Sequence, residues 1–114
     1  MTLLQFIKGP HRNCWVNEPN IHVYVRKAVH MINGEMIPCL DIGNVAVTYE
    51  KQGKGIFSKF LTKFERQAQK MGRTSFVEGL QNHRLKKFLV SKRGYVIDKE
   101  SSPICPNAYK TFTK

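Results

Sequence analysis

Between Ile21 and Ile32 the chain alternates apolar and polar positions. Ile21, Val23 and Val25 stand against His22, Tyr24 and Arg26, the period of a strand with one buried face. Asn33-Gly34 follows, a pair suited to a two-residue hairpin because both turn positions need positive φ. It predicts an antiparallel return over Glu35 to Leu40, with Pro38 marking an edge or a bulge. Ile42 to Val47 reads as the next strand and leads into a loop carrying Gly53 and Gly55. From Ile56 the period changes. Ile56, Phe57, Phe60, Leu61, Phe64, Ala68 and Met71 are spaced three and four apart, which predicts a helix of about four turns ending at Gly72. Ser75 to Leu80 reads as a strand, and Asn82 as the N-cap of a second helix running through Leu85, Phe88 and Leu89 to Gly94. At the margins, Leu3, Leu4, Phe6 and Ile7 suit a first strand or a short helical turn. Cys14-Trp15-Val16, Tyr95-Val96-Ile97 and Ala108 to Phe112 supply the remaining strands.

Strands, helix, strand, helix, strands is an α+β order. The first helical crossover makes two strands parallel, between Val47 and Phe76, within a mainly antiparallel sheet. At 114 residues and 41% hydrophobic content, the chain reads as one packed domain, residues 1–114. No apolar run approaches the ~20 residues of a membrane span. The stretch Met1 to Ile7 is too short for a signal-peptide core, so the expectation is a soluble, cytoplasmic protein without a membrane partner. Cys14, Cys39 and Cys105 form no Cys-x-x-Cys, and His11, His22, His30 and His83 offer no matching ligand pair. Neither a disulfide framework nor a metal site is expected, and these residues read as small buried thiols and surface histidines.

The net charge of +11 is the strongest compositional signal. A domain this basic attracts polyanions: nucleic acid, an anionic surface, or an anionic cofactor. Lys59, Lys63, Arg66 and Lys70 form a stripe opposite the apolar one on the first long helix, and Arg84, Lys86, Lys87, Lys92 and Arg93 crowd the second. Such stripes are solvated helix faces or docking surfaces, and few acids alternate with these bases.

The stretch from Val47 to Ser58 joins a strand, a glycine loop and a helix start. The first helical turn has backbone N–H groups without partners, and the helix dipole turns its positive end to the loop. Gly53 and Gly55 permit close approach to the backbone, and Lys51 and Lys54 add charge. A phosphate or pyrophosphate is the ligand such a device takes; the bland reading is a tight strand–helix turn. No Gly-Lys-Ser/Thr follows, which excludes a nucleoside-triphosphate loop, and the glycine spacing excludes a dinucleotide fingerprint.

Gln52-Gly53-Lys54-Gly55-Ile56-Phe57 resembles the Gln/Arg-x-x-Gly-x-Gly/Ala signature of the GNAT superfamily of acyl-CoA-dependent N-acyltransferases. Phe57 stands where that signature ends in a small residue. The strand before Asn82, the helix after it and Gly94-Tyr95 are similar to a second family block, so the resemblance spans roughly residues 40 to 98. It implies a GNAT-like mixed sheet with helices packed on it, two parallel strands splayed around a cofactor arm, and acetyl-CoA as acyl donor to a primary amine. By position, the backbone of Val45 and Val47 would meet the thioester and pantetheine. Gln52, Gly53, Lys54, Gly55, Ile56, Phe57 and Ser58 would hold the pyrophosphate, and Asn82 would hydrogen-bond the pantetheine arm. The family's usual general-acid tyrosine falls at Leu89 or Val90 here, neither of which donates a proton, and Tyr95 occupies an apolar position. Glu78, flanked by Phe76, Val77 and Leu80, is the candidate base ahead of Asp41, against the alternative of a salt-bridged surface carboxylate. Residues 8–20 are too short and irregular to supply the helices that cover the acceptor side in the family. An uncovered groove suits an amine on a protein or other macromolecule. The rival reading is a non-catalytic basic binding module, for nucleic acid or a protein partner, with Trp15, Tyr24 and Tyr109 for stacking.

Overall fold

The computed structural model describes residues 1–47 and 55–112. Helix α1 (Leu3–Lys8) opens the chain, closed at its start by a reciprocal Thr2–Gln5 capping box. Strands β1 (Asn13–Glu18), β2 (Ile21–Ile32) and β3 (Glu35–Val47) form an antiparallel meander. Helix α2 (Ile56–Met71), strand β4 (Thr74–Val77), helix α3 (His83–Lys92) and strands β5 (Val96–Ile97) and β6 (Ala108–Lys110) complete it. The strand order is β1-β2-β3-β4-β6-β5, with β3 and β4 the parallel pair.

The alternation read from the sequence sets the two faces. Val16, Val23, Val25, Leu40, Ile42 and Val77 project to one side and pack with Leu3 and Phe6 of α1, Phe60, Leu61, Phe64 and Ala68 of α2, and Leu89 of α3. The buried residues of all three helices therefore belong to a single core on one face. Arg26, Asp41, Phe76 and Tyr109, which are consecutive partners across β2, β3, β4 and β6, project to the other face. Gly72 ends α2 with φ 68°, its N–H reaching back to Ala68 and Gln69, which is the left-handed cap that glycine provides at no steric cost.

Several expectations are refined. The return strand and the strand after it are one continuous β3, so Pro38 sits inside it, paired with Val29 beyond the point where β4 begins at Cys39. The parallel pairing runs from Cys39–Thr74 to Ile42–Val77 rather than alongside Val47. The strand expected over Ser75 to Leu80 ends at Val77. Arg93 is no part of a solvated stripe. It turns inward to Glu65, a nearly buried acid on the apolar side of α2, at 2.9 Å.

Candidate functional site

Two backbone devices open a cleft between β3 and β4. On β3, Tyr24 pairs with Asn44 and Val25 with Ile42, which leaves Gly43 as the extra residue of a β-bulge. Glycine is needed there for space: a Cβ would lie 3.1 Å from the Tyr24 ring and 3.6 Å from a Glu78 carboxylate oxygen. On the other side, the last bond between the two parallel strands is Glu78 N–H to the Ile42 carbonyl, 2.9 Å. Gly79 then takes φ 63° and the chain turns away, its N–H going to Asn107 Oδ1 and that of Leu80 to the Pro106 carbonyl. The strands part because one bulges and the other changes hydrogen-bond partner. The resulting cleft, about 330 Å³, lies between residues 42–45 and 77–82, with Leu85 behind.

Val45, Glu78 and Asn82 of the sequence-predicted set line this cleft or flank its wall. Asn82 caps α3, its Oδ1 accepting from the N–H groups of Arg84 and Leu85 at 2.9 and 3.2 Å. That leaves the carboxamide NH2 as the group it can offer a ligand. Val47 ends β3, paired with Ile21. Gln52, Gly53 and Lys54 lie outside the described residues. Gly55 precedes α2 with φ 76°, and no side chain among the described residues caps the helix, so the amides of its first turn, at Ile56, Phe57 and Ser58, are suited to an anion. Phe57 packs against the helix-side core rather than standing free beside the loop.

Glu78 does not stand alone among apolar neighbours. It is ion-paired with Arg26, whose guanidinium also comes within 3.7 Å of Asp41. Asp41, completely buried, accepts a 2.6 Å hydrogen bond from His30 Nε2, and its Oδ1 has no partner among the described residues. Burial pushes the Asp41 carboxyl above its ordinary range, opposed by His30, Arg26 and Arg73. His30 is stacked on Phe76 with ring centroids 3.8 Å apart and planes 7° from parallel. Ligand-type atoms of His30, Asp41 and Glu78 all fall within 4.8 Å of one another. Arg26 supplies the positive charge inside this group, and a guanidinium bridging both carboxylates does not suit a cation site. Sequence reasoning took His30 for a surface residue and ranked Asp41 behind Glu78 as the base. The signal available was an aspartate inside an otherwise apolar strand, since such a residue is buried only with partners.

The Leu89 and Val90 positions are as apolar as expected, one buried and one exposed. Tyr95 is in the core, its hydroxyl 2.6 Å from Ser75 Oγ, and burial raises its pKa above the ordinary phenol value despite that bond. Trp15 and Tyr24 form a tilted pair with centroids 5.6 Å apart on the face that carries Arg26 and Asp41.

No sequence-family model matches the chain, and no curated protein sequence matches it. Solved structures do match it in fold. A KacTA–DNA complex contains a chain similar over 80% of this one and 57% of its own length, with 18% identity and a TM-score of 0.60. An AtaT mutant toxin bound to the C-terminus of the antitoxin AtaR and acetyl-CoA is similar over the same shares, with 17% identity and a TM-score of 0.56. Arabidopsis thaliana Naa50, in complex with the bisubstrate analogue CoA-Ac-MVNAL, is similar over 97% of this chain and 89% of its own, with 14% identity and a TM-score of 0.55. The chain thus spans a little over half the length of the first two. These neighbours have the GNAT acetyltransferase fold, and the fold of this chain is GNAT-like.

Proposed function

We propose that the chain is an acetyl-CoA-dependent N-acetyltransferase that acylates a primary amine carried by a protein or another macromolecule. The observation that carries this reading is the cleft: a bulged strand and a diverging parallel partner border an open cleft of about 330 Å³. The neighbouring helix, α2, begins without a side-chain cap among the described residues. A thin pantetheine arm suits the cleft, and an anionic pyrophosphate suits the helix start, which Lys51 and Lys54 precede in the sequence. Neighbours of the same fold bind acetyl-CoA or a CoA bisubstrate analogue. In this reading the backbone at Val45 and Val47 meets the thioester and pantetheine, and Gln52 to Ser58 hold the pyrophosphate. Asn82 donates its carboxamide NH2 to the arm while its oxygen caps α3. Glu78, the acid lining the cleft, faces the amine. Among the described residues no helix is long and apolar enough to cross a membrane, and acetyl-CoA as donor fits a cytoplasmic setting.

A second reading, a basic binding module on the same fold, draws on two observations. Lys59, Lys63, Arg66 and Lys70 are exposed along α2, and apolar residues occupy the general-acid position. Calorimetric titration with acetyl-CoA, desulfo-CoA and a short DNA at two salt concentrations separates the two. Saturable one-to-one binding of the CoA compounds that survives moderate salt supports the acetyltransferase. Binding that vanishes with salt and is matched by DNA supports the module. Gly55→Asp is the matching variant, because nothing among the described residues lies within 4 Å of a Cβ there and aspartate tolerates positive φ better than most residues. It is expected to keep the fold and lose CoA binding; a variant that binds CoA like the parent removes the loop from the site.

A further inference from the structure

We propose that the proton surrendered by the acceptor amine is taken up by a relay on the sheet face opposite the helices. Glu78 meets the amine, and His30, held by Asp41, keeps the proton. The proposal rests on the acetyl-transfer reading and names the proton acceptor that reading requires.

The geometry is a chain of contacts leading out of the cleft. Glu78 lines the cleft and is paired with Arg26. A carboxylate against a guanidinium makes a poor final resting place for a proton. His30 lies behind it, with ligand atoms of His30, Asp41 and Glu78 within 4.8 Å, a gap that one water or a small rotation closes. Asp41 and Glu78 bring two carboxylates to the group, and Arg26 and Arg73 both act on Asp41. Asp41 is the anchor of the relay. Its side chain is wholly buried, one oxygen has no partner among the described residues, and His30 and Arg26 are the groups its other oxygen meets. A carboxylate at such depth is costly without partners, and the His30 Nε2–H supplies its 2.6 Å one, which leaves Nδ1 as the nitrogen that takes the proton. Stacking on Phe76 fixes the ring, and the side chain remains 24% exposed, enough to return the proton to water. The small pair Ala28–Cys39, between the Arg26–Asp41 and His30–Ile37 pairs, leaves room for His30 to lean across to Asp41. The other titratable or charged groups nearby are the Cys39 thiol, Tyr109 beside Phe76, and Arg73, whose Nη1 is held by the Ala28 and Cys39 carbonyls.

The step balances. An acceptor arriving as R–NH3⁺ gives one proton to the relay. The free amine attacks the thioester carbonyl carbon, the C–N bond forms, and the carbonyl electron pair moves to oxygen. Collapse breaks the C–S bond with its electron pair staying on sulfur. A second proton from nitrogen neutralises the thiolate. The first leaves His30 for water, so each turnover releases one proton.

The test follows CoA-thiol release with poly-L-lysine, with a pentapeptide bearing a free N-terminus, and with water as acceptor. Acetyl-CoA binding is measured separately by calorimetry. His30→Gln is expected to lower kcat about 100-fold, the general-base range, with acetyl-CoA affinity unchanged. The fall in kcat/KM on the acid side of the wild-type pH profile should be lost. Added imidazole should restore His30→Ala, which a merely structural role would not permit. Wild-type turnover by His30→Gln, or a His30→Ala variant that imidazole does not rescue, overturns the relay. So does a parent protein that binds acetyl-CoA yet consumes none with any of the three acceptors. Failure of the parent to bind acetyl-CoA is a different result: it overturns the acetyl-transfer reading itself, and the relay with it.

Discussion

Replacing Tyr95 by Phe separates a structural phenol from a catalytic one. Tyr95 is 3% exposed and its hydroxyl meets Ser75 Oγ at 2.6 Å beneath the helices, away from the residues that line the cleft. Deleting the hydroxyl leaves the fully buried Ser75 without that partner, which costs about 1–3 kcal/mol. An unfolding entropy of about 2.1 cal/mol/K per residue gives roughly 240 cal/mol/K for a chain of this size, so each kcal/mol lowers Tm by about 4 °C. Tyr95→Phe should therefore melt roughly 4–12 °C below the parent. Adding Ser75→Ala removes both hydroxyls and should recover part of the loss, because the expensive state is one hydroxyl buried alone. The phenol also has a signed pH effect. Burial raises its folded pKa, so its contribution is intact below the ordinary value of about 10 and is lost as pH climbs past it and the unfolded chain ionises first. Thermal unfolding from pH 7 to 11, alongside acetyl transfer at 25 °C, reads all of this. An unchanged Tm with a 100-fold loss of kcat would make Tyr95 the acid that protonates the leaving thiolate, and the core assignment would be wrong.

Asn82→Asp keeps an N-cap oxygen and removes the carboxamide donor, so Tm should hold while acetyl-CoA affinity, measured by calorimetry, falls about tenfold, the worth of one hydrogen bond. Equal affinity would leave Asn82 a cap and nothing more. Arg93→Met leaves Glu65 only the longer 3.5 Å contact with Lys110, its Oε2 being already without a partner among the described residues, and should cost about 1–3 kcal/mol in urea unfolding, with Glu65→Leu recovering part of it. Cys39 is held at about 12 by burial first and Asp41 second, against an ordinary 9.0. Its stabilising contribution should drain away from pH 9 toward 12 at up to about 1.4 kcal/mol per pH unit, a slope that Cys39→Ala removes. Gly43→Ala presses a methyl group against the Tyr24 ring and the Glu78 carboxylate, so it should cost about 1 kcal/mol in Tm measurements and lower kcat more than acetyl-CoA affinity.

The core face was legible because one period describes each element. Val23 and Val25 on β2, and Phe60, Phe64 and Ala68 on α2, are buried where strand and helix periods put them. Caps and turns were legible for the same local reason: Asn33-Gly34, Gly72 and Asn82 act within a few residues of themselves. What local pattern could not supply was partnership across long separations. Glu65 on an apolar stripe makes sense only once Arg93 and Lys110, 28 and 45 residues away, close on it. The limits of the parallel pairing were misjudged because Gly79 exchanges β3 for the loop before β6, and nothing near Gly79 in the sequence names Asn107 or Pro106 as its partners.

The partners that join Glu78 and Asp41 into one cluster were not legible for a further reason, and that reason bears on the acceptor. Period-two alternation assigns Arg26 to the polar face of β2 and says nothing of what lies above that face. Asp41 broke the apolar run of β3, yet a polar residue between apolar neighbours is also what alternation predicts for a solvated face. Only the assembled sheet distinguishes the two cases. The buried residues of all three helices sit on the other side, so Asp41 is covered by the side chains around it, His30 and Arg26 among them. A charged group sealed by side chains, rather than by a helix, lies within a side-chain rotation of anything approaching that face. An amine reaching the cleft from this direction meets Glu78 first and the Trp15–Tyr24 pair alongside it. A compact substrate would leave most of that open surface wet, whereas an amine borne on a large, folded or extended carrier can cover it. Under the acetyl-transfer reading, this face, with Glu78 and the Trp15–Tyr24 pair, is where the proposed macromolecular acceptor would dock.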